Sequence, residues 1–197
     1  VIEEAKRLSD QGVQELILIA QDTTAYGEDL RDGTNLEKLL KGLIRVEELR
    51  WIRMLYSYPN PDYFSEGLLK LIAQEEKICP YLDLPIQHID DEILKRMGRR
   101  SRSYEIYNLL HKIRTALPEI SLRTSLIVGF PGETEKHFRA LLDFVEKVVV
   151  DTGQHQRFPW ILVTRLIFMT SAGGSQRPIL LRSWSRKTRY ISSIPQG

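Results

Sequence analysis

The 197-residue sequence contains one cysteine, Cys79, which excludes a disulfide within the chain and a metal site built from several cysteine thiolates. It also lacks any uninterrupted apolar run of roughly 18 residues, the length that a membrane-spanning helix requires. The four histidines do not have the spacing of metal ligands, so we predict no histidine metal site. With 42% hydrophobic residues and a formal net charge of +2, the sequence indicates a globular protein with a sizeable core, for which the cytoplasm is the expected compartment.

Acidic residues are almost missing from residues 151–197, where Asp151 stands alone against seven arginines and lysines. Residues 1–150 have the opposite balance, with more acids than bases. The alternation of strand-like and helix-like segments also fails after Asp151, where FPWILVTRLIFM (158–169) predicts a strand or buried segment and the rest is basic and Ser-rich. We therefore predict a folded core over 1–150 and an atypical basic tail over 151–197, which is frame-shifted or poorly ordered.

Within residues 1–150, apolar runs alternate with amphipathic segments. Strands are predicted at 15–21, 51–57, 81–88 and 120–129, the first of them as a strand covered on both faces. Helices are predicted at 2–11, 36–44, 61–72, 90–97, 103–116 and 134–147. Because the strands start roughly 30 to 40 residues apart, this pattern is typical of βαβ units. We predict an α/β fold with about four consecutive βα units of an open or closed barrel.

Polar, aromatic or Gly/Pro-rich residues follow all four predicted strands. They are Gln21-Asp22-Thr23-Thr24, Tyr56-Ser57-Tyr58-Pro59, Gln87-His88 and Gly129-Phe130-Pro131-Gly132-Glu133. Ligands of parallel α/β folds bind at the carboxyl ends of the strands, so these four ends predict a shared pocket. In it, Gly129 and Gly132 would let the chain turn tightly beside a ligand, and Glu133 would anchor a ligand hydroxyl.

Each of these polar groups also has a purely structural interpretation. Glu133 stands near a predicted helix start, where the helix dipole favours a carboxylate. Asp22 or Thr23 is alternatively the N-cap of the following segment. A lone histidine such as His88 is more often a satisfied structural group than a ligand or base. Arg123 lies inside a predicted strand, where a charge should be paired, so we expect an acidic neighbour or a carboxylate ligand.

Four arginines surround Gly98, and they are Arg96, Arg99, Arg100 and Arg102. These side chains could contact phosphate or RNA. They could equally form a solvated helix end, where the dipole favours basic residues. The sequence leaves both interpretations open.

Four segments together resemble the radical-SAM methylthiotransferases. They are AQDTTAYG (20–27), YSYPNPD (56–62), LDLPIQHIDDEILKRMGRR (82–100) and LRTSLIVGFPGETEKHF (122–138). The resemblance spans about residues 1–148 and is closest to the branch that modifies an aspartate of a small-subunit ribosomal protein. The tRNA-modifying branch typically has Gln-Asn where this sequence has Gln21-Asp22.

The resemblance implies a partial (β/α) barrel of the radical-SAM type that holds S-adenosylmethionine across its strand ends. It also implies a 4Fe-4S cluster that reductively cleaves this cofactor, so that the resulting radical removes a hydrogen from the substrate. A second cluster, in an amino-terminal domain of the family, would supply the sulfur, and another S-adenosylmethionine the methyl group.

The resemblance also suggests which residues contact the cofactor. The candidates are Gln21, Asp22, Gln87, His88, Arg123, Ser125, Gly129 and Glu133. The pair at 21–22 would lie near the methionine amino group, and Gln87, His88 and Ser125 near the ribose or adenine. Arg123 would face a carboxylate, and the corner at 129–133 would close around the nucleoside.

The sequence departs from the family in ways that affect activity. The CxxxCxxC loop that holds the family's barrel cluster is expected upstream of Val1, and this chain offers only Cys79. We therefore predict a fragment of a methylthiotransferase that is inactive alone, with a small-subunit ribosomal protein or the ribosome and an electron donor as partners of the intact enzyme, and no membrane. The alternatives are a tRNA adenosine methylthiotransferase and a non-catalytic RNA- or ribosome-binding module.

Overall fold

The computed structural model of the chain describes residues 1–150 and 161–168, in which helices and strands alternate. The elements are α1 (Ile2–Asp10), β1 (Glu15–Leu18), α2 (Leu36–Ile44), β2 (Trp51–Met54), a 3₁₀ turn (Pro61–Tyr63), α3 (Glu66–Gln74), β3 (Ile78–Asp83), α4 (Asp91–Arg96), α5 (Ser103–Ala116), β4 (Ser121–Val128), α6 (Glu135–Val150) and β5 (Ile161–Phe168). Within these ranges, no helix is both long and apolar enough to cross a membrane.

The strands form one five-stranded sheet in the order β1-β2-β3-β4-β5, and every neighbouring pair is parallel. Leu18 of β1 pairs with Met54 of β2, and Asp83 of β3 pairs with Arg123 of β4. A doubly wound sheet would reverse its strand order at a switch point, whereas this order follows the sequence without reversal. The predicted α/β fold, a partial (β/α) barrel with four βα units, is confirmed.

The core lies on one face of this sheet, where the helices pack. Along β4 the residues are alternately buried and partly exposed, which is the pattern of a strand with one covered face. Leu122 on β4, Ile52 on β2 and Leu40 on α2 belong to the same buried cluster. Burial of such side chains contributes about 1.5 to 3 kcal/mol each to folding.

The opposite face of the sheet is more polar. Arg53 donates to Glu15 at 2.8 Å and stacks over the ring of Tyr81 at 5.3 Å. Ile17 of β1 is 50% exposed and Ile19 is 65% exposed. The prediction that the first strand is covered on both faces is therefore wrong, because β1 is the edge strand and helices pack against one side of it.

Several element boundaries differ from the sequence prediction for local reasons. Pro61 opens a 3₁₀ turn rather than the third helix, which begins after Ser65, whose hydroxyl accepts from the Leu68 N–H at 3.0 Å. The third strand begins at Ile78 and ends at Asp83, before Pro85 removes a backbone donor.

The alternation of strands and helices continues past residue 150, where the sequence pattern predicts that it fails. Strand β5 (Ile161–Phe168) lies within the predicted strand or buried segment at 158–169 and pairs with β4. The remainder of the predicted tail, 151–160 and 169–197, lies outside the described residues.

Candidate functional site

The segment that follows the last residue of each strand is called its exit. Hydrogen bonds join the exit of β1 to the exit of β2. Asp22 Oδ1 accepts from the Thr24 N–H at 3.0 Å and from the Tyr58 N–H at 3.2 Å. The Thr23 N–H donates to the Tyr56 carbonyl at 3.0 Å. Asp22 therefore stabilises a loop rather than capping a helix, since the next helix begins only at Leu36. Gln21 lies beside this loop with its side chain exposed to solvent.

Asp83 connects the exits of β2, β3 and β4. Its carbonyl accepts from the Ser57 N–H at 2.8 Å, and its Oδ2 accepts from the Tyr56 N–H at 3.3 Å. The same oxygen lies 3.4 Å from Arg123 Nη1. An acidic neighbour was one of the two partners expected for Arg123, and Asp83 fills this role. Because Asp83 is 2% exposed, this charge depends on its partners for stabilisation.

The exit from β3 is joined to β4 through the backbone of Gln87. Its N–H donates to the Ser125 carbonyl at 2.9 Å, and its carbonyl accepts from the Ile127 N–H at 2.7 Å. Gln87 has a φ of 72°, in the left-handed region that a residue other than glycine adopts at an energetic cost. Its side-chain Oε1 is buried and has no hydrogen-bond partner among the described residues. A buried amide oxygen without a donor is a candidate acceptor for a ligand.

His88 and Glu133 form a buried pair between the β3 and β4 exits. His88 Nδ1 accepts from the Asp90 N–H at 2.9 Å, so the ring proton of the neutral imidazole lies on Nε2. That nitrogen is 3.5 Å from Glu133 Oε1. The other Glu133 oxygen accepts from the Gly129 N–H at 2.5 Å and the Phe130 N–H at 3.0 Å. The two side chains therefore fix the relative positions of the two loops.

The pKa of Glu133 reflects competing effects. Burial raises the pKa, but the interaction with His88 and the N–H groups of Phe130 and Gly129 stabilise the carboxylate more strongly. The net effect is a pKa below the ordinary value of 4.5, so Glu133 is ionised at neutral pH.

The glycine corner after β4 makes a close approach to α4. Gly129 and Gly132 have φ of 78° and 84°, which glycine adopts without strain. The Gly132 carbonyl accepts from Arg96 Nη1 at 3.3 Å, and a Cβ on Gly132 would collide with that guanidinium. The sequence prediction of a tight turn at this corner is confirmed, and its close partner is Arg96.

Six of the eight predicted site residues follow strands and lie at one edge of the sheet, because the strands are parallel and neighbouring exits are bonded to each other. The other two, Arg123 and Ser125, lie within β4, where they contact Asp83 and the backbone of Gln87. Three consecutive strands leave the sheet through a left-handed residue, namely Tyr56, Gln87 and Gly129. Tyr56 and Gln87 are strained in this conformation, whereas Gly129 is not, and backbone strain is concentrated at functional sites. The sequence analysis did not predict a role for Asp83. The signal was an acidic residue within an apolar predicted strand, which required a basic partner such as Arg123.

Metal-binding groups are sparse in the part of the chain that the structure describes. It contains no cluster of three or more His, Cys, Asp or Glu side chains that could hold a metal ion. Cys79 is buried on β3, and burial raises the pKa of its thiol. A neutral, buried thiol is a poor metal ligand.

The sequentially ordered parallel sheet, with the exits of β1 to β4 at one edge, defines a fold of the (β/α)-barrel type. Residues 1–145 match the Radical SAM superfamily. The chain belongs to this superfamily.

Several curated proteins are about 50% identical to this chain over the residues that align. The ribosomal protein uS12 methylthiotransferase RimO of Geotalea uraniireducens is 52% identical over 151 residues, 77% of this chain and 33% of that protein. The RimO of Citrifermentans bemidjiense is 54% identical over 151 residues, with the same shares of 77% and 33%. The chain thus spans about a third of the length of the curated relatives it matches.

A more distant likeness is found among solved structures. Coproporphyrinogen III oxidase (HemN) from Escherichia coli, a radical SAM enzyme, has a TM-score of 0.46 and 18% identity, covering 83% of this chain and 37% of that one. This likeness is too distant to support a conclusion.

Proposed function

We propose that the chain is the S-adenosylmethionine-binding part of an enzyme that methylthiolates an aspartate of ribosomal protein uS12. The observation that carries this proposal is the identity of 52% to 54% with uS12 methylthiotransferases over 151 residues. The relatives are named for a ribosomal protein substrate, which favours this branch over the tRNA-modifying one. We further propose that the intact enzyme works in the cytoplasm with an electron donor.

The groups at the carboxyl edge fit a nucleoside with an amino acid attached. Gln87 Oε1 is a buried acceptor that lacks a donor, which an adenine amino group or a ribose hydroxyl would provide. Ser125 is a neighbour of Gln87, because its carbonyl accepts from the Gln87 N–H, and its side chain has a hydroxyl group. Gln21 and Asp22, at the β1 exit, would hold the methionine amino group. When bound, S-adenosylmethionine would supply the sulfonium chemistry that the superfamily uses.

The remaining candidates would shape and orient this site. His88 and Glu133 are 3.5 Å apart and hold the third and fourth exits together. Arg123 pairs with Asp83, and its guanidinium group would face the carboxylate of the ligand. Gly129 would let the backbone of the corner approach the nucleoside.

An iron–sulfur cluster does not fit the donor set of this chain. Three cysteine thiolates hold such a cluster in the resembling family, and the sequence contains one cysteine. We therefore predict that reconstitution with iron and sulfide leaves this polypeptide without the absorption and paramagnetic signals of a 4Fe-4S cluster. A cluster signal together with cleavage of S-adenosylmethionine by the 197-residue chain would contradict the prediction.

Equilibrium dialysis with labelled S-adenosylmethionine tests the cofactor site without a cluster. Gln87→Leu removes the buried amide, and we expect it to weaken binding by about tenfold, the effect of one lost hydrogen bond in a buried site. Gln74→Leu is the matched control, because Gln74 is exposed at the end of α3. Equal affinities of the two variants would refute a role for Gln87, and no binding by the unaltered chain would refute the cofactor site.

A further inference from the structure

We infer that the basic turn formed by the end of α4 and its connection to α5, residues 95–102, is a docking surface for the phosphodiester backbone of RNA. It contains five basic residues and no acidic one, although residues 1–150 as a whole carry more acids than bases. The basic residues are Lys95, Arg96, Arg99, Arg100 and Arg102. This inference goes beyond the proposed reaction, since it concerns a surface outside the cofactor site.

Two of these arginines fix the turn to the rim of the cofactor site. Arg96 donates to the Gly132 carbonyl at 3.3 Å, at the β4 exit. Arg99 stacks over the ring of Tyr58 at 5.2 Å, at the β2 exit. The Tyr58 hydroxyl also accepts from the Arg100 N–H at 2.9 Å. A macromolecule that reaches the carboxyl edge of the sheet would therefore pass beside this turn.

The other three basic side chains remain available to a partner. Lys95, Arg100 and Arg102 are exposed, and in the described part of the chain they form no ion pair. The nearby acid Glu92 lies 3.8 Å from Arg96 instead. Three solvated cations in one segment without an acid are typical of surfaces that bind polyanions.

The neighbouring aromatic residues favour RNA over an acidic protein surface. Tyr104, two residues beyond the turn, is 58% exposed, and Tyr56 on the site rim is 46% exposed. Exposed rings provide stacking surfaces for unpaired bases, which an acidic peptide would not use. The observations therefore indicate a single-stranded or looped RNA segment as the occupant.

Fluorescence anisotropy with a labelled single-stranded RNA of about 12 nucleotides tests this inference on the 197-residue chain. The test variant carries Lys95→Gln, Arg100→Gln and Arg102→Gln, and leaves the two packed arginines unchanged. The matched control carries Arg177→Gln, Arg182→Gln and Arg186→Gln, which removes the same charge from the basic tail. Thermal melts followed by circular dichroism check that both variants remain folded.

We expect the turn variant to bind RNA at least tenfold more weakly, and the slope of log affinity against log salt to fall by about 2 between about 50 and 200 mM salt. The tail variant should keep most of the affinity. An equal or larger loss in the tail variant would overturn the inference, as would unchanged binding by the turn variant. Displacement of the RNA by a glutamate peptide at equal charge concentration would assign the surface to an acidic protein instead. None of these outcomes depends on S-adenosylmethionine, so failure here is distinguishable from failure of the proposed function.

Discussion

Several residues at the carboxyl edge have an unfavourable backbone conformation or a buried charge. Gln87 adopts a φ of 72°, and the carboxylates of Asp83 and Glu133 are buried next to strand exits. Each is stabilised by specific neighbours, such as the N–H groups that Glu133 accepts from Gly129 and Phe130. Such residues are sensitive to conservative substitution, which makes the site testable by stability as well as by binding.

Glu133 should give the stability of the chain a defined pH dependence. Its pKa in the folded chain lies below 4.5, so its contribution is complete above that pH and is lost as the pH falls through the folded pKa. Glu133→Gln should lower the free energy of unfolding by about 1 to 2 kcal/mol at pH 7, because the charge-assisted hydrogen bonds weaken. This difference, measured by urea denaturation, should shrink as the pH falls below 4.5.

Glu135→Gln is the control for this prediction. Glu135 pairs with Arg139 at 3.1 Å, but the two side chains are 66% and 71% exposed. An exposed pair of this kind contributes little, so the change should be below about 0.5 kcal/mol at every pH. A Glu133→Gln difference that stays constant from pH 7 to pH 3 would contradict the assignment.

The positive φ of Gln87 leads to a second prediction for a single residue. Gln87→Gly should leave the free energy of unfolding within about 1 kcal/mol of the original, because glycine adopts a positive φ freely. Gln87→Val should lower it by about 1 to 3 kcal/mol, since a β-branched residue is strongly disfavoured there. At Gln74, a helical residue, glycine should be the more damaging of the two. Equal stability of Gln87→Gly and Gln87→Val would be incompatible with the left-handed backbone.

Helices of the chain were more predictable from the sequence than its strands. The apolar stripe from Leu36 to Ile44 gives α2 with the predicted bounds, because hydrophobic spacing and helix ends agree there. The strand β1 is shorter than the run at 15–21, since an edge strand pairs on one side only. A sequence pattern reports hydrophobicity but not which neighbours are present, and strand length depends on the neighbours.

The N-cap of α2, Asn35, allows the contribution of one helix cap to the stability of the chain to be measured. Its side-chain oxygen accepts from the Lys38 N–H at 2.9 Å at the start of α2. Asn35→Ala should lower the free energy of unfolding by about 1 kcal/mol, measured by chemical denaturation. Asn108→Ala, at an exposed position inside α5, should be neutral or slightly stabilising because alanine is the better helix former. A similar loss in both variants would show that the Asn35 cap is not a specific support.

For the molecule as a whole, the sequential order of parallel strands brings distant segments to one edge. The sequence predicted this edge from the polar ends of four apolar runs, and the bonds between the exits bear out that arrangement. It did not predict the individual contacts, such as the 3.5 Å approach of His88 to Glu133, because these depend on loop conformation. The change in charge balance near residue 150 also did not predict β5. Strand pairing depends on backbone hydrogen bonds to the edge of β4 and not on the net charge of the segment.

Amide chemical shifts measured by NMR on the isotope-labelled chain, with and without S-adenosylmethionine, test the central claim most directly. We predict that the shifts that change cluster at the strand exits, in residues 21–24, 56–59, 87–88 and 129–133. The opposite edge, at residues such as Gln14, Arg50 and Lys77, should not change. Saturable changes confined to that opposite edge, or no change at millimolar cofactor, would contradict the claim.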